Sequence, residues 1–166
     1  AGGLRKDLGA TSQITQGITT IVLGPDGNGA IAIEDFMMPY DEDPPAVNIL
    51  TFVGHSTVRR SVMADDHKRA ATPGEIAKME GLVEFAMREG AFGLSSDVEN
   101  DPGSYATTDE VVALAKVAAR YGGVYMTHVR DESGKVLESI REAIEVGRQA
   151  KIPVQISHIR LGISAV

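Results

Sequence analysis

Gly123-Val-Tyr-Met-Thr-His128 and Pro153-Val-Gln-Ile-Ser-His158 are two mainly apolar runs that each end in a histidine. Between them, residues 133–150 carry a helical pattern. Leu137, Ile140, Ile144 and Gly147 fall on one side, and Glu138, Arg141, Glu142, Glu145 and Arg148 largely on the other. The histidines stand 30 positions apart (158 − 128), about the length of one βαβ unit. The strands of such a unit are parallel and, as neighbours, lie roughly 4.8 Å apart. Side-chain alternation predicts that Val124, Met126 and His128 share one face, and that Val154, Ile156 and His158 share the matching face. Both imidazoles then leave the carboxyl ends of their strands on the same side, where α/β folds build their sites. A metal ion held at about 2.0–2.1 Å from each nitrogen spans that gap. For either histidine alone the competing reading is an ordinary polar cap of a strand. The same alternation turns Gln155 and Ser157 toward the helix layer, an awkward place for polar groups.

The pattern repeats upstream. Ile18-Thr-Thr-Ile-Val-Leu23 is a β-branched run typical of a buried strand, followed by the loop Gly24-Pro-Asp-Gly-Asn-Gly29. Ala46-Val-Asn-Ile-Leu-Thr-Phe-Val53 predicts a second strand ending at Gly54-His55, and Ala91-Phe-Gly-Leu-Ser95 a short third one. Thr72-Pro-Gly-Glu75 and Thr107-Thr-Asp-Glu110 read as capping boxes opening two further helices. A modest apolar face predicts a short helix over 4–17, and Ala30 to Met38 predicts a helical turn or two. Asp41-Glu-Asp-Pro-Pro45 reads as a solvated connection. Five strands alternating with helices predict an α/β fold with a parallel sheet under helical cover. Asp26, His55, Ser95 with Ser96, His128 and His158 recur just past the strand ends, as on the catalytic rim of a (β/α)8 barrel. His55 and Ser95 are accordingly candidates for substrate binding, and Asp26 by its neighbours alone reads as a turn-forming Asp-Gly. A full barrel takes about 250 residues and eight strands. This chain therefore predicts an incomplete barrel, a single α/β segment over residues 1–166, or else an open doubly wound sheet.

With 166 residues, 43% of them hydrophobic and 23% charged, the composition is that of a globular protein. A net charge of −7 argues against nucleic-acid or anionic-membrane partners. No apolar run approaches the roughly 18 residues of a membrane span. With no cysteine, thiolate ligands and disulfides are excluded, while bacterial cytoplasm and periplasm or secretion remain equally open as compartments. The first residue is Ala1, and no signal peptide is visible.

Several stretches together carry a resemblance. They are Gln16-Gly-Ile-Thr-Thr-Ile-Val22, Val53-Gly-His-Ser-Thr-Val-Arg59, Gly90-Ala-Phe-Gly-Leu-Ser-Ser96, Pro102-Gly-Ser-Tyr-Ala-Thr-Thr108, Thr127-His-Val-Arg-Asp-Glu132 and Val154-Gln-Ile-Ser-His-Ile-Arg160. In this order the chain resembles the amidohydrolase superfamily, specifically the N-acyl-D-amino-acid deacylases. The resemblance implies a (β/α)8 barrel, one or two zinc ions, and hydrolysis of N-acyl-D-amino acids or related peptides. It maps the family's zinc ligands onto His128 and His158. Where the family often has a cysteine after the first of these strands, Asp26 stands here, and a carboxylate can replace a thiolate on zinc. Arg160 matches a position, commonly lysine, that binds the substrate carboxylate; an arginine can do this with two parallel hydrogen bonds. Asn100 stands where the family often has a tyrosine. The family's first-strand His-x-His would precede Ala1 and its last-strand aspartate would follow Val166. The chain thus reads as truncated at both ends relative to the family, needing the remaining barrel segment or self-association to cover its edges. Two other functions stay open at this point: a catalytically silent fragment, and a non-metal module binding a phosphate-bearing ligand at Gly24–Gly29. That loop lacks the G-x-G-x-x-G and G-x-x-x-x-G-K-[ST] spacings.

Overall fold

The computed structural model describes residues 3–159. In chain order its elements are α1 (Thr11–Ile14), β1 (Thr20–Leu23), α2 (Ile33–Glu42), β2 (Asn48–Thr51), β3 (Val53–Gly54), α3 (His55–Met63), α4 (Pro73–Arg88), β4 (Gly93–Asp97), α5 (Thr108–Arg120), β5 (Val124–His128), α6 (Val136–Ala150) and β6 (Val154–Ile156). Every strand pairing is parallel: β1 with β2, and β3-β4-β5-β6 in that order. The expected second strand is split at Phe52. Its amide donates back to Leu23, while the Phe92 amide donates to Thr51 at 2.8 Å, so the two sheets run on as one wall. The split has a steric origin. The Gly24–Gly29 loop lies directly on the chain at Phe52–Gly54, where a Cβ on Gly29 would sit 1.9 Å from the Phe52 carbonyl oxygen. A Cβ on Gly54 would sit 2.3 Å from the Gly27 carbonyl oxygen. Only glycine permits backbones to approach so closely.

One apolar core lies between β3–β6 and the helices. Val53, Leu94 and Tyr125 from the strands meet Val58, Met79, Val83, Leu114, Ala118 and Val146 from the helices. Leu94 pairs with Tyr125, and Tyr125 with Val154, so these side chains share the helix-covered face. Ser95, Met126 and Gln155 share the other.

This register corrects the face assignment drawn from sequence. The β5–β6 offset is 29 residues (154 − 125), one less than the spacing of the histidines. A one-residue difference exchanges faces. Val154 and Ile156 therefore lie with Tyr125 and Thr127 against the helices, and Gln155 and Ser157 turn away from the helix layer, which removes the awkward burial expected for them. β6 ends at Ile156, and Ser157 closes the ladder with its amide on the Thr127 carbonyl at 2.9 Å. The backbone then leaves strand geometry, and this departure, not alternation, brings His158 round to His128.

The helices show two further differences. α4 has the full capping box, with Thr72 and Glu75 exchanging hydrogen bonds and Pro73 at the first helical position. α5 has half of one: Thr107 accepts from the Glu110 amide, but the Glu110 carboxylate is directed inward. On α6 the buried side is Val136, Ser139, Ala143, Val146, Gly147 and Ala150, while Leu137 and Ile144 are exposed. A Cβ on Gly147 would stand 2.4 Å from Val154 Cγ2, so the helix packs too close to β6 for bulky residues to face it. Near the start, the expected helix over 4–17 is two short turns, Leu4–Lys6 and α1, separated by Ala10 at φ 45°. α2 continues through Pro39 to Glu42, into the stretch expected to be a connection.

Candidate metal centre

His128 is the last residue of β5 and lies almost out of solvent. Behind it is a buried polar chain: Ser96 Oγ is 2.8 Å from both the Tyr125 hydroxyl and Thr127 Oγ1, and Thr127 donates to the His128 carbonyl at 2.9 Å. Burial pushes the Tyr125 hydroxyl above its ordinary pKa, which keeps it a proton donor despite the opposing hydrogen bonds of Ser96 and Thr127.

Two loops bring carboxylates to the imidazoles. After β4, Asp97 accepts from the amides of Glu99 (3.1 Å) and Asn100 (3.0 Å), folding that loop back over β5. Glu99 Oε2 thereby reaches His128 Nε2 at 2.6 Å. After β5, Arg130 grips Glu142 of α6 through two hydrogen bonds of 2.8 and 2.7 Å, pinning the loop that carries Glu132. Glu132 is buried, and its Oε1 lies 2.7 Å from His158 Nδ1 and 3.8 Å from His128 Nε2. The remaining ring nitrogens, His128 Nδ1 and His158 Nε2, face each other at 3.1 Å, with the rings inclined at 80°. Burial disfavours a charged His128, but the Glu99 hydrogen bond and the charges of Asp97, Glu132 and Glu99 outweigh it and hold its pKa above the ordinary value.

These contacts fit a metal ion. With His128 protonated on Nε2 toward Glu99, its Nδ1 lone pair faces His158 Nε2, and a proton or a cation is needed between the two nitrogens. Two ligands about 2.05 Å from one tetrahedral ion stand roughly 3.3 Å apart, close to the observed separation. One ligand atom each from His128, Glu132 and His158 lies within 4.8 Å of the others, so a carboxylate is also within reach. A soft thiolate is absent, and the nitrogen–oxygen set suits zinc.

No family model matches the chain. Among curated proteins it is 36% identical over 177 residues to a D-aminoacylase of Alcaligenes xylosoxydans, a match covering 93% of this chain and 36% of the relative. The chain is homologous to part of the D-aminoacylases. An N-acyl-D-aspartate deacylase of the same organism is 34% identical, over 90% of this chain and 34% of its own length. The relation to D-aminoacylase extends to the fold. A solved D-aminoacylase structure superposes with a TM-score of 0.85 at 33% identity, covering 95% of this chain and 38% of that one. The structure of N-acyl-D-glutamate deacylase from Bordetella bronchiseptica, complexed with zinc and a phosphonate inhibitor, matches with a TM-score of 0.85 at 26% identity. This D-aminoacylase-related chain thus spans about a third of the length of its curated relatives, 36% and 34%. It holds only part of the amidohydrolase barrel, in keeping with its parallel strand–helix order.

The remaining rim residues are distributed unevenly. Asp26, in the left-handed region at φ 53°, accepts from Ser157 Oγ at 2.9 Å, which brings it beside His158 without joining the His128–Glu132–His158 group. Ser95 is buried and fastens the Gly24–Gly29 loop, accepting from the Gly27 amide at 3.1 Å and donating to the Gly24 carbonyl at 2.7 Å. The Gly27 carbonyl accepts from the Thr57 amide at 3.2 Å. With these groups committed to holding the loop in place, nothing in the loop favours a phosphate site. His55 is fully buried on Glu110 of α5, apart from the histidine pair. Arg160 lies outside the described residues. Glu99 and Glu132 were not singled out by sequence reasoning, although Glu132 closes the motif Thr127-His-Val-Arg-Asp-Glu132 four positions after His128.

Proposed function

We propose that this chain is the metal-holding segment of a zinc-dependent hydrolase that cleaves the amide bond of N-acyl-D-amino acids. The observation that carries this reading is the convergence of His128 Nδ1 and His158 Nε2, each ring backed by a carboxylate. Zinc supplies Lewis acidity toward the scissile carbonyl and lowers the pKa of water from about 15.7 to about 7. The chain's own part is to hold neutral imidazoles, which leave the ion its charge, at fixed positions on a strand end and a ladder terminus. Asp26, held beside His158 by the Ser157 hydroxyl, is the further carboxylate that would extend this ligand set. Homology to three deacylases acting on N-acyl-D-amino acids supports the substrate class. In the test, the purified protein is assayed for metal and for hydrolysis of N-acetyl-D- and N-acetyl-L-amino acids. Zinc at one or two equivalents is the expected result for this chain, with D-selective turnover in the complete barrel that contains it and little or none from the 166 residues alone. Protein that takes up no metal, or that prefers L-substrates, rejects the reading.

Arg160 gives a second expectation, for substrate orientation. In the complete enzyme, Arg160→Met weakens substrates with a free α-carboxylate by roughly 1.5–3 kcal/mol, the worth of a charge-assisted hydrogen bond. Zinc content stays unchanged, and amide analogues lose little. Equal losses in kcat/KM for both substrate types would exclude the assignment.

A further inference from the structure

We propose that Glu99 is a positioning residue that sets which nitrogen of the His128 imidazole carries the proton, so that His128 Nδ1 is left as the donor facing His158 Nε2. The proposal rests on the metal reading above and deepens it. In a free neutral histidine either nitrogen can hold the proton, and a ring protonated on its inner nitrogen donates nothing to a metal. Here His128 Nε2 is hydrogen-bonded to the Glu99 carboxylate at 2.6 Å, and His128 Nδ1 faces His158 Nε2 at 3.1 Å. Glu132 Oε1 lies 2.7 Å from His158 Nδ1 as an ion-pair contact, without a hydrogen bond. An ionised carboxylate accepts hydrogen bonds and cannot donate, so Glu99 draws the proton of His128 to its outer nitrogen.

The two carboxylates are fixed by separate devices. Glu99 depends on the turn made by Asp97, whose second oxygen also accepts from Asn100 Nδ2 at 2.9 Å. Glu132 depends on the Arg130–Glu142 grip and on the Asp131 carboxylate, which accepts from the Ser133 amide at 2.6 Å. Glu132 Oε1 stands by both rings, 2.7 Å from His158 Nδ1 and 3.8 Å from His128 Nε2, whereas Glu99 serves His128. Carboxylates behind ligating histidines are typically worth 10–100-fold in metal affinity.

The test uses protein with nitrogen-15-labelled histidine, in which nuclear magnetic resonance separates the two neutral tautomers. In the metal-free protein, at a pH where the rings are neutral, His128 is expected as the Nε2–H form. Its Nε2 proton is expected to survive zinc loading. Glu99→Leu removes the acceptor, so the Nδ1–H form of His128 appears and the zinc Kd rises 10–100-fold. Glu99→Gln keeps a carbonyl acceptor at the same volume and restores the Nε2–H form together with most of the affinity, whereas a rescue of packing alone would leave the Nδ1–H form in place. If Glu99→Leu leaves both the tautomer and the zinc Kd within about twofold of the parent, the proposal is overturned. It is equally overturned if the His128 Nε2 proton vanishes on zinc loading, because Glu99 and that nitrogen would then be the ligands themselves. Parent protein that binds no zinc refutes the metal reading instead, a separate outcome from either of these.

Discussion

In the complete barrel that contains this segment, His128→Ala is expected to strip the zinc and to lower kcat/KM for an N-acyl-D-amino acid by at least about a thousandfold, or ~4 kcal/mol. The size follows from the role. A metal stabilises the developing charge on a carbonyl oxygen by several kcal/mol, and this contribution disappears when the ion does. His158→Ala is expected to match it, because the two rings face one position across 3.1 Å. The double variant is then no worse than either single one, since residues acting as a unit are far from additive. His67→Ala serves as the control. His67 pairs with Asp101 and the Ala64 carbonyl, away from the metal centre, and its removal leaves zinc content unchanged. Metal analysis and steady-state kinetics on the four proteins decide the matter. Wild-type zinc content in either single variant of the pair removes the assignment.

The two histidines were legible in the sequence because strand ends are marked by composition: an apolar run, then a polar residue that cannot continue it. Their convergence was anticipated for the wrong reason. Alternation puts His158 on the face of His128 only if strand offset equals residue spacing, and the observed offset is one residue shorter. The polarity of Gln155 and Ser157 already pointed to that register, since both belong on the face away from the helices. The α6 face was misread because Leu137 and Ile144 stand out by size, whereas the buried side is made of small residues: Gly147 lies against Val154 of β6, and Ser139 and Ala143 line a small cavity with Val111 and Tyr125. Glu99 was hidden because a loop delivers it, and the turn that bends that loop is local to Asp97. Glu110 carried a misleading message. Its spacing from Thr107 matches a capping box, but its carboxylate is needed elsewhere.

That carboxylate is the basis of the second large effect. Glu110→Ala is expected to destabilise the fold by about 3–5 kcal/mol, the usual cost of stranding one partner of a buried ion pair. Glu110, Arg59 and His55 are all fully buried. Arg59 Nη1 donates to both Glu110 oxygens, at 2.7 and 2.5 Å, and His55 Nε2 lies 2.8 Å from Oε1. Arg59 Nη2 goes on to the backbone carbonyls of His67 and Arg69, so the guanidinium ties α3 to α5 and to the loop before α4. Without Glu110 it is a cation in an apolar layer beside Val58 and Val111. For a domain of this size the loss lowers Tm by roughly 6–20 °C. A paired replacement separates lost attraction from stranded charge: Arg59→Met with Glu110→Leu removes both charges at similar volume and is expected to recover most of the stability. The pH dependence has a definite sign. Burial raises the Glu110 pKa, but the hydrogen bonds from His55 and Arg59 outweigh it and hold the carboxyl below its ordinary value of 4.5. A group with a depressed folded pKa adds stability above its unfolded pKa and loses it as pH falls through the folded one. Wild-type protein should therefore lose this contribution on acidification below about pH 4.5, while Glu110→Gln, which cannot titrate, should show a flatter acid limb. Thermal melts of the parent, Glu110→Ala, Glu110→Gln and the double replacement across that range measure both effects; a Glu110→Ala protein as stable as its parent would show that the buried cluster contributes nothing net to the fold.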